Sequence, residues 1–276
     1  MSAENTAPTL SMAQLLAAAK LDTATSVSYT ITEHWMQGRT TYGGLSAALC
    51  LDAALKIYPD LPPLRSAQIT FVGPVGGKVS VSTNVLRRGK SVSYIHTRLS
   101  GESGIGTEAV FCFGASRESK LNATYTAKPK INSVADSIGF FGDAPRPVFT
   151  DNFDCLLAAG DRPISNSDKD EIWIWVKHKT DASQSILNVH TNVALLALAD
   201  MPPPAVLPKF ASPAPISSMT WMVNFLQNPE QDNLGWWLLR SAAENAQDGY
   251  SSQDMQVWDS QGNLVISGRQ SVTLFY

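Results

Sequence analysis

The amino-acid sequence predicts an α+β protein in which one structural unit occurs twice. Two segments, residues 45–58 and 186–200, are apolar almost all round, as helices buried in the centre of a domain are. Each follows a strand-like segment and precedes four segments in which apolar and polar residues alternate, the pattern of strands with one buried face. Because the same order repeats, we expect two antiparallel sheets in tandem, each wrapped around a central apolar helix.

The first unit is predicted to occupy residues 25–118, after a polar tail and a short helix in residues 1–24. Ser11 is expected to cap that helix, which runs to Lys20. A strand over residues 27–35 precedes Gly43-Gly44, the pair that opens the first apolar helix. The four strands that follow are predicted at residues 66–72, 78–88, 91–100 and 106–114, with glycine-containing turns between them.

The second unit is predicted to occupy residues 151–276, after a linker over residues 119–150. The linker is polar, has few periodic apolar positions and is long for a loop inside a compact domain. Residues 152–159 or 171–177 supply the first strand, and residues 186–200 supply the second apolar helix. Four further strands are expected at residues 217–226, 235–245, 251–259 and 263–276, the last two joined by a hairpin.

The charge and composition of the chain exclude some partners. Hydrophobic residues make up 44% of the 276 residues, charged residues make up 16%, and the net charge is -3. Without a basic tract, we expect neither nucleic acid nor a membrane surface as a partner. The low charge fraction, together with the strand edges that open sheets expose, predicts a homo-oligomer, a dimer or larger.

The cysteines and histidines show no metal-binding pattern. The three cysteines form no Cys-x-x-Cys or Cys/His spacing and are expected to be reduced core residues. The four histidines lie in separate segments without ligand spacing, so we expect no metal and no cofactor. No positively charged leader precedes an apolar run at the N-terminus, which favours a cytoplasmic protein.

Asp200 is the most unusual residue of the second apolar helix. It ends the run TNVALLALAD and is followed by Met201 and three prolines, which stop the helix there. The last turn of a helix carries partial negative charge, so this carboxylate is expected to be held against the local field. Such violations of a local rule tend to fall at functional sites, although a polar helix end opening a turn is the simpler interpretation.

Several motifs resemble those of a known family. GRTTYGGLSAALCLDAAL, LRSAQITFVGPVGGKVSVSTNVLRRGKSVSYIHTRLS and GTEAVFCFGAS resemble the N-terminal half of double-hotdog acyl-CoA thioesterases of the acyl-CoA thioesterase II type. ALLALADMPPPAV, ISSMTW and VWDSQGNLVISGRQSVTLF resemble the C-terminal half. The resemblance covers nearly the whole chain outside the first two dozen residues and the linker. It implies a double hotdog fold and hydrolysis of an acyl-CoA substrate.

The resemblance also implies three working residues. The family's aspartate at the end of the second core helix falls on Asp200, and its glutamine in the final strand falls on Gln270. With Trp221 as the anchor, the family's hydroxyl position falls on Pro215, which cannot serve. Ser217, two residues further and so on the same strand face, is the best substitute. Ser218 and Thr220, expected on the other face, are weaker candidates.

These groups suit thioester hydrolysis. Desolvation and the helix dipole should raise the pKa of Asp200, so that it can act as a general base on water. Gln270 and the Ser217 hydroxyl would orient that water. Backbone N–H groups at Gly43 and Gly44 could bind the substrate carbonyl, but a tight strand-to-helix turn needs glycine equally. Without the resemblance, Gln270 would be an ordinary residue of a half-buried strand.

Other functions fit the sequence less well. Gly44-Leu45-Ser46-Ala47-Ala48 has Ala where a serine hydrolase needs its second Gly, and hydration of an enoyl thioester would need a His soon after Asp200. Pro215 keeps open a non-catalytic protein that binds acyl-CoA. Several aromatic residues could cap the acyl pocket: Trp35, Phe71, Trp173, Trp175 and Trp221.

The two halves differ in their acidic residues. Asp52 lies inside the first apolar helix and has the i, i+4 spacing to Lys56 of a surface ion pair. The second helix instead places its acid at the end that the prolines stop. We therefore expect one active site per chain, built around Asp200.

Overall fold

The computed structural model describes residues 10–142, 145–180, 183–229 and 232–276, so the predicted tail at residues 1–9 lies outside the described part. The N-terminal half contains α1 (Met12–Ala17), β1 (Lys20–Thr23), β2 (Ser26–Ile31), β3 (Met36–Gln37), β4 (Thr40–Thr41), α2 (Gly43–Ile57), β5 (Leu64–Phe71), β6 (Gly77–Arg88), β7 (Val92–Gly101) and β8 (Gly104–Gly114). The C-terminal half contains β9 (Ile138–Gly139), β10 (Phe153–Ala159), β11 (Glu171–His178), α3 (Thr191–Ala199), β12 (Ile216–Phe225), β13 (Trp237–Gln247), β14 (Tyr250–Trp258) and β15 (Leu264–Leu274).

Most predicted elements occur within a few residues of their expected bounds. Ser11 caps α1 in a capping box with Gln14, although this helix ends at Ala17 rather than Lys20. The strand predicted over residues 27–35 ends at Ile31, where a 3₁₀ turn begins. Both segments proposed for the first strand of the second unit are strands.

The two sheets of the double hotdog join edge to edge. Thirteen strands form one antiparallel sheet in the order β1-β2-β6-β7-β8-β5-β12-β15-β14-β13-β11-β10-β9. The two halves meet where β5 pairs with β12, with Ile69 opposite Trp221. The fold is therefore the predicted α+β double hotdog, with a continuous sheet across both units.

The two apolar helices lie inside this curved sheet. α2 packs against β6, β7 and β8, α3 packs against β11, and the helices pack on each other. Side chains of α2, α3 and both halves of the sheet belong to one buried apolar cluster. The helices run antiparallel. The hydroxyl of Tyr42, just before α2, donates to the carbonyl of Ala197 near the end of α3 (2.7 Å), and the last turns of α2 line one pocket with the first turn of α3. The start of one core helix thus meets the end of the other.

Hydrogen bonds hold the segment that connects the halves against the C-terminal half. Trp175 Nε1 on β11 donates to the carbonyl of Asn132 (2.8 Å), and Arg162 donates to the carbonyls of Gly139 and Phe140. The domain limits at residues 25–118 and 151–276 stay a prediction. Within the described ranges, no helix is long and apolar enough to cross a membrane.

Candidate active site

Asp200 lies where the sequence places it, at the end of α3. The helix ends at Ala199, Asp200 is the C-cap, and Met201 N donates to the carbonyl of Leu198 (3.0 Å). The prolines at 202–204 have no N–H and cannot continue the helix. The carboxylate is therefore held at the junction between α3 and a proline-rich turn.

The start of α2 faces this carboxylate. A Cβ atom on Gly43 would lie 2.8 Å from Asp200 Oδ2, and the backbone N–H of Gly44 lowers the pKa of the Asp200 carboxylate. Helix N-termini carry partial positive charge and favour anions. The expectation that the field opposes Asp200 is thus incomplete, because α2 supplies a favourable field beside the unfavourable end of α3.

The glycine pair allows the two helices to approach backbone to backbone. A Cβ atom on Gly44 would lie 2.5 Å from the carbonyl oxygen of Ala197 and 2.6 Å from the Tyr42 ring. The Tyr42 ring also stacks on Phe149, with centroids 4.0 Å apart. Glycine is required here by close packing as well as by the neighbouring carboxylate.

Gln270 on β15 contacts Asp200 directly. Its Nε2 donates to Asp200 Oδ1 (2.8 Å), and the side chain is 3% exposed. Its Oε1 accepts a hydrogen bond from Nε2 of Gln253 on β14 (2.9 Å). Gln253 is fully buried, and its own Oε1 accepts from the backbone N–H of Ala205 (2.8 Å). The structure thus brings together the predicted pair and adds a second glutamine.

Gln253 is not among the site residues that the sequence predicts. The signal for it was a polar residue at an inward position of an alternating strand, between Ser251 and Met255, both buried. The strand register explains its contact. Gln253 lies opposite Gln270 on β14 and β15, and Gln270 lies opposite Trp221 on β12, so the three side chains share the inner face.

Ser217 does not join this group. A β-bulge at Met219 shifts the register of β12, so that Ser217 lies opposite Thr273 and Ser218 lies opposite Val272. Val272 is two residues from Gln270 and on its face, whereas Thr273 is on the other face. Ser217 is exposed and Ser218 is partly buried. The predicted faces of Ser217 and Ser218 were wrong, because one extra residue in a strand reverses the alternation.

Burial dominates the electrostatics of Asp200. Although Asp200 as a residue is only partly buried, loss of hydration raises the pKa of its carboxyl to about 7, against Gln270 and the backbone N–H of Gly44, which lower it. Burial, and then the charge of Asp200, hold the pKa of the Tyr42 hydroxyl well above its usual value. Asp200 can therefore exchange a proton near neutral pH beside a tyrosine that stays protonated.

Asp52 occupies the equivalent position in the first unit. It lies ten residues after Tyr42, the N-cap of α2, as Asp200 lies ten residues after His190, the N-cap of α3. The spacing to Lys56 predicts a surface ion pair, and this prediction is wrong for Asp52, which is buried. It accepts hydrogen bonds from Lys56 Nζ (2.7 Å) and from the Tyr29 hydroxyl (2.7 Å).

The different lengths of the helices explain the asymmetry between the two acids. α2 continues to Ile57, so Lys56 lies one turn beyond Asp52 and neutralises it. α3 stops before Asp200, and the partners there are neutral amides. Among the residues that the structure describes, Asp52 has a cationic partner and Asp200 has none.

Two of the five candidate aromatic residues lie at this site. Phe71 approaches Gly43, with its ring 3.1 Å from the position of a Cβ atom there, and Trp221 lies beside Gln270. Trp173 stacks on Trp258 in a separate cluster.

The three cysteines are free thiols. The described part of the chain holds no group of three His, Cys, Asp or Glu side chains arranged for a metal ion.

Known proteins resemble the chain along nearly its whole length. Solved structures include a protein of unknown function with a hot dog fold from Alicyclobacillus acidocaldarius (TM-score 0.84, 22% identity, 97% of this chain and 99% of that one). A TesB protein from Mycobacterium avium subspecies paratuberculosis is also similar (TM-score 0.74, 12% identity, 94% of this chain and 96% of that one). So is an acyl-CoA thioesterase II from Mycobacterium marinum (TM-score 0.69, 14% identity, 96% of this chain and 98% of that one). At these identities, the similarity establishes the fold.

The family follows from sequence models. No curated protein matches the chain by sequence. The model of the acyl-CoA thioesterase N-terminal domain matches residues 31–114, and that of the acyl-CoA thioesterase C-terminal domain matches residues 132–274. Because the second match alone spans more than half of the 276 residues, the chain belongs to the acyl-CoA thioesterase family.

Proposed function

We propose that this protein hydrolyses an acyl-CoA thioester to a free acid and CoA, with Asp200 as the general base. The observation that carries the proposal is the pairing of Asp200 with Gln270 beside the start of α2. A carboxylate with a pKa of about 7 is well matched to removing a proton from water at neutral pH.

In the reaction, ionised Asp200 takes a proton from water while the water oxygen attacks the thioester carbonyl carbon. The carbonyl oxygen becomes an oxyanion. The tetrahedral intermediate then collapses, the C–S bond breaks, and protonated Asp200 returns the proton to the departing CoA thiolate. Gln270 holds the carboxylate through its N–H and keeps it aimed at the water.

Backbone N–H groups of α2 would stabilise the oxyanion. The backbone N–H of Gly44 acts on the Asp200 carboxylate, whose pKa it lowers. Gly43 is the first residue of α2, and its N–H has no acceptor within the helix. We assign carbonyl binding to Gly43, and to Gly44 the role of holding the base.

We assign the third role of the family's site, the hydroxyl that orients the water, to Ser218. Ser218 lies on the same inner face of the sheet as Gln270, whereas Ser217 is exposed on the outer face of β12. Pro215, at the position that the family resemblance gives for the hydroxyl, supports the alternative of a non-catalytic acyl-CoA-binding protein. Measuring thiol release together with acyl-CoA binding separates the two functions.

Thiol release from acyl-CoAs of several chain lengths tests the proposal. We expect the wild type to release CoA, and the Asp200→Asn variant to lose about 10²- to 10⁴-fold in kcat because the base is gone. The matched control is Asp52→Asn, which removes the equivalent acid of α2 and should retain normal turnover. Wild-type protein that binds acyl-CoA without releasing thiol would establish the binding protein instead.

Cellular location and assembly are part of the same proposal. We propose a cytoplasmic homo-oligomer that acts in fatty acid metabolism. Met219 and Met222 on β12 are 40% and 44% exposed near the centre of the continuous sheet, and a second copy could cover them. Light scattering after size-exclusion chromatography should give at least twice the 29.8 kDa mass of one chain.

A further inference from the structure

Three hydrogen bonds connect Asp200 to a buried backbone N–H through two glutamine side chains. The N–H of Ala205 donates to Gln253 Oε1 (2.8 Å), and Gln253 Nε2 donates to Gln270 Oε1 (2.9 Å). Gln270 Nε2 then donates to Asp200 Oδ1 (2.8 Å). Ala205, Gln253 and Gln270 are all buried, so bulk water does not compete for these groups.

The first donor sets the direction of the whole chain of bonds. A glutamine amide can present either its oxygen or its nitrogen, but a backbone N–H can only donate. The prolines at 202–204 have no N–H, so Ala205 supplies the first backbone donor after them. It requires the oxygen of Gln253, whose nitrogen must then face the oxygen of Gln270. The nitrogen of Gln270 is left to face Asp200.

Gln253 has no packing reason to be polar. Of its inward neighbours on β14, Met255 and Val257 are buried and apolar, and Ser251 is buried with only a small hydroxyl. A buried amide without hydrogen-bond partners is costly, whereas an apolar side chain is favourable at such a position. Both polar atoms of Gln253 are used in the chain of bonds that ends at Asp200.

We propose that Gln253 is a positioning residue of the active site: with the backbone N–H of Ala205, it fixes the amide of Gln270 so that its N–H faces Asp200. The inference rests on the proposed function in taking Asp200 as the base. Without Gln253, the Gln270 amide is free to rotate and to turn its oxygen towards the carboxylate. The ionised form of Asp200 then loses a hydrogen bond that favours it.

The other titratable groups around Asp200 do not change charge near neutral pH. Among the described residues, they are the Tyr42 hydroxyl, at the start of α2, and the Cys155 thiol on β10, which contacts Met201 next to Asp200. Burial raises the pKa of both groups, so each stays protonated. A change in the titration of Asp200 therefore reports on its own hydrogen bonds.

The test is the Gln253→Met variant, which keeps the side-chain length and removes both polar atoms. The carboxyl carbon of Asp200 is followed by ¹³C NMR titration of aspartate-labelled protein, with Asp200→Asn to assign the signal. We expect the pKa of Asp200 to rise by about one unit, and kcat at pH 7 to fall about fivefold with the rate recovering at higher pH. Gln256→Met, on the outer face of the same strand, should change neither.

Further variants separate positioning from general structural support. In a Gln270→Met background, Gln253→Met should no longer shift the pKa of Asp200, because the residue acts through Gln270. If Gln253→Met does not fold, Gln253→Leu removes the same two polar atoms without adding a charge and should raise the pKa in the same way. An unchanged pKa in a folded variant, or a shift that persists without Gln270, would overturn the proposal. A wild type that releases no thiol would count against the proposed function alone, since the NMR titration needs no turnover.

Discussion

Gln270 and the backbone N–H of Gly44 stabilise the ionised form of Asp200, whereas burial destabilises it. Burial has the larger effect on the pKa. The folded-state pKa of about 7 lies above the value of about 3.9 for an unfolded chain. At a pH between these two pKa values, Asp200 holds a proton in the folded protein that it has released in the unfolded chain. The stability that this proton gives is present below the unfolded pKa and is lost as the pH rises through 7.

The Asp200→Asn variant should remove this pH dependence. We expect its advantage in unfolding free energy over the wild type to grow between pH 5 and pH 8, by an amount on the order of a few kcal/mol. Urea denaturation of both proteins at several pH values measures the difference. Asp52→Asn controls for loss of a carboxylate, and a difference between Asp200→Asn and wild type that is independent of pH would refute the linkage.

The two serines beside the bulge in β12 offer a matched pair of substitutions. Ser218→Ala should lower kcat about tenfold or more if its hydroxyl orients the water, whereas Ser217→Ala, on the outer face, should leave kcat unchanged. Steady-state kinetics with one acyl-CoA is sufficient. Equal effects of the two substitutions would exclude Ser218 from the site.

Single residues differ in how well the sequence predicts them. Asp200 is predictable because prolines that stop an apolar helix are a local signal. Gln270 was identified through family resemblance, since a polar residue in a half-buried strand is ordinary. The faces of Ser217 and Ser218 could not be predicted, because the bulge at Met219 has no signature in the residues around it.

At the scale of elements, the contact between α2 and α3 is the feature that builds the site. Gly44→Ala would place a Cβ atom 2.5 Å from the carbonyl of Ala197. We expect it to destabilise the protein by about 1–3 kcal/mol and to reduce turnover, because the helices must separate at the carboxylate. Gly142→Ala, where a Cβ atom meets nothing within 4 Å, is the control. Thermal unfolding and kinetics check both, and normal stability of Gly44→Ala would contradict the close contact.

The sequence predicted both core helices but not their mutual arrangement. Apolar residues on all sides place a helix in the core without specifying its neighbour. The field at Asp200 was therefore judged from α3 alone, whereas the start of α2 supplies the N–H of Gly44. The equivalence of Asp52 and Asp200 likewise emerges when both are counted from their N-caps.

For the whole molecule, the pairing of β5 with β12 and the shared core should make the halves unfold together. Six of the seven tryptophans lie in the C-terminal half, so fluorescence reports mainly on that half. Hydrogen exchange of peptides from β6, β7 and β8 reports on the other. We expect one common urea midpoint, and two separated midpoints would show that the halves are independent.

The duplicated pattern predicts two tandem antiparallel sheets, each around a central apolar helix, and the family resemblance implies that they form a double hotdog. Alternation along a strand specifies its buried face, and the repeated order specifies the number of units. The union of the two sheets depends on which edge strands meet, and edges carry no such signal. The continuous sheet is therefore a property that the structure adds.

The pH dependence of acyl-CoA hydrolysis tests the central claim most directly. Thiol release is measured from pH 5.5 to pH 9 for the wild type and for Asp200→Asn. We predict that kcat/KM of the wild type rises with pH through an apparent pKa near 7, as Asp200 ionises, and that Asp200→Asn loses both the activity and this rise. An Asp200→Asn variant that hydrolyses acyl-CoA at the wild-type rate, with the same pH profile, would contradict the assignment of Asp200 as the base.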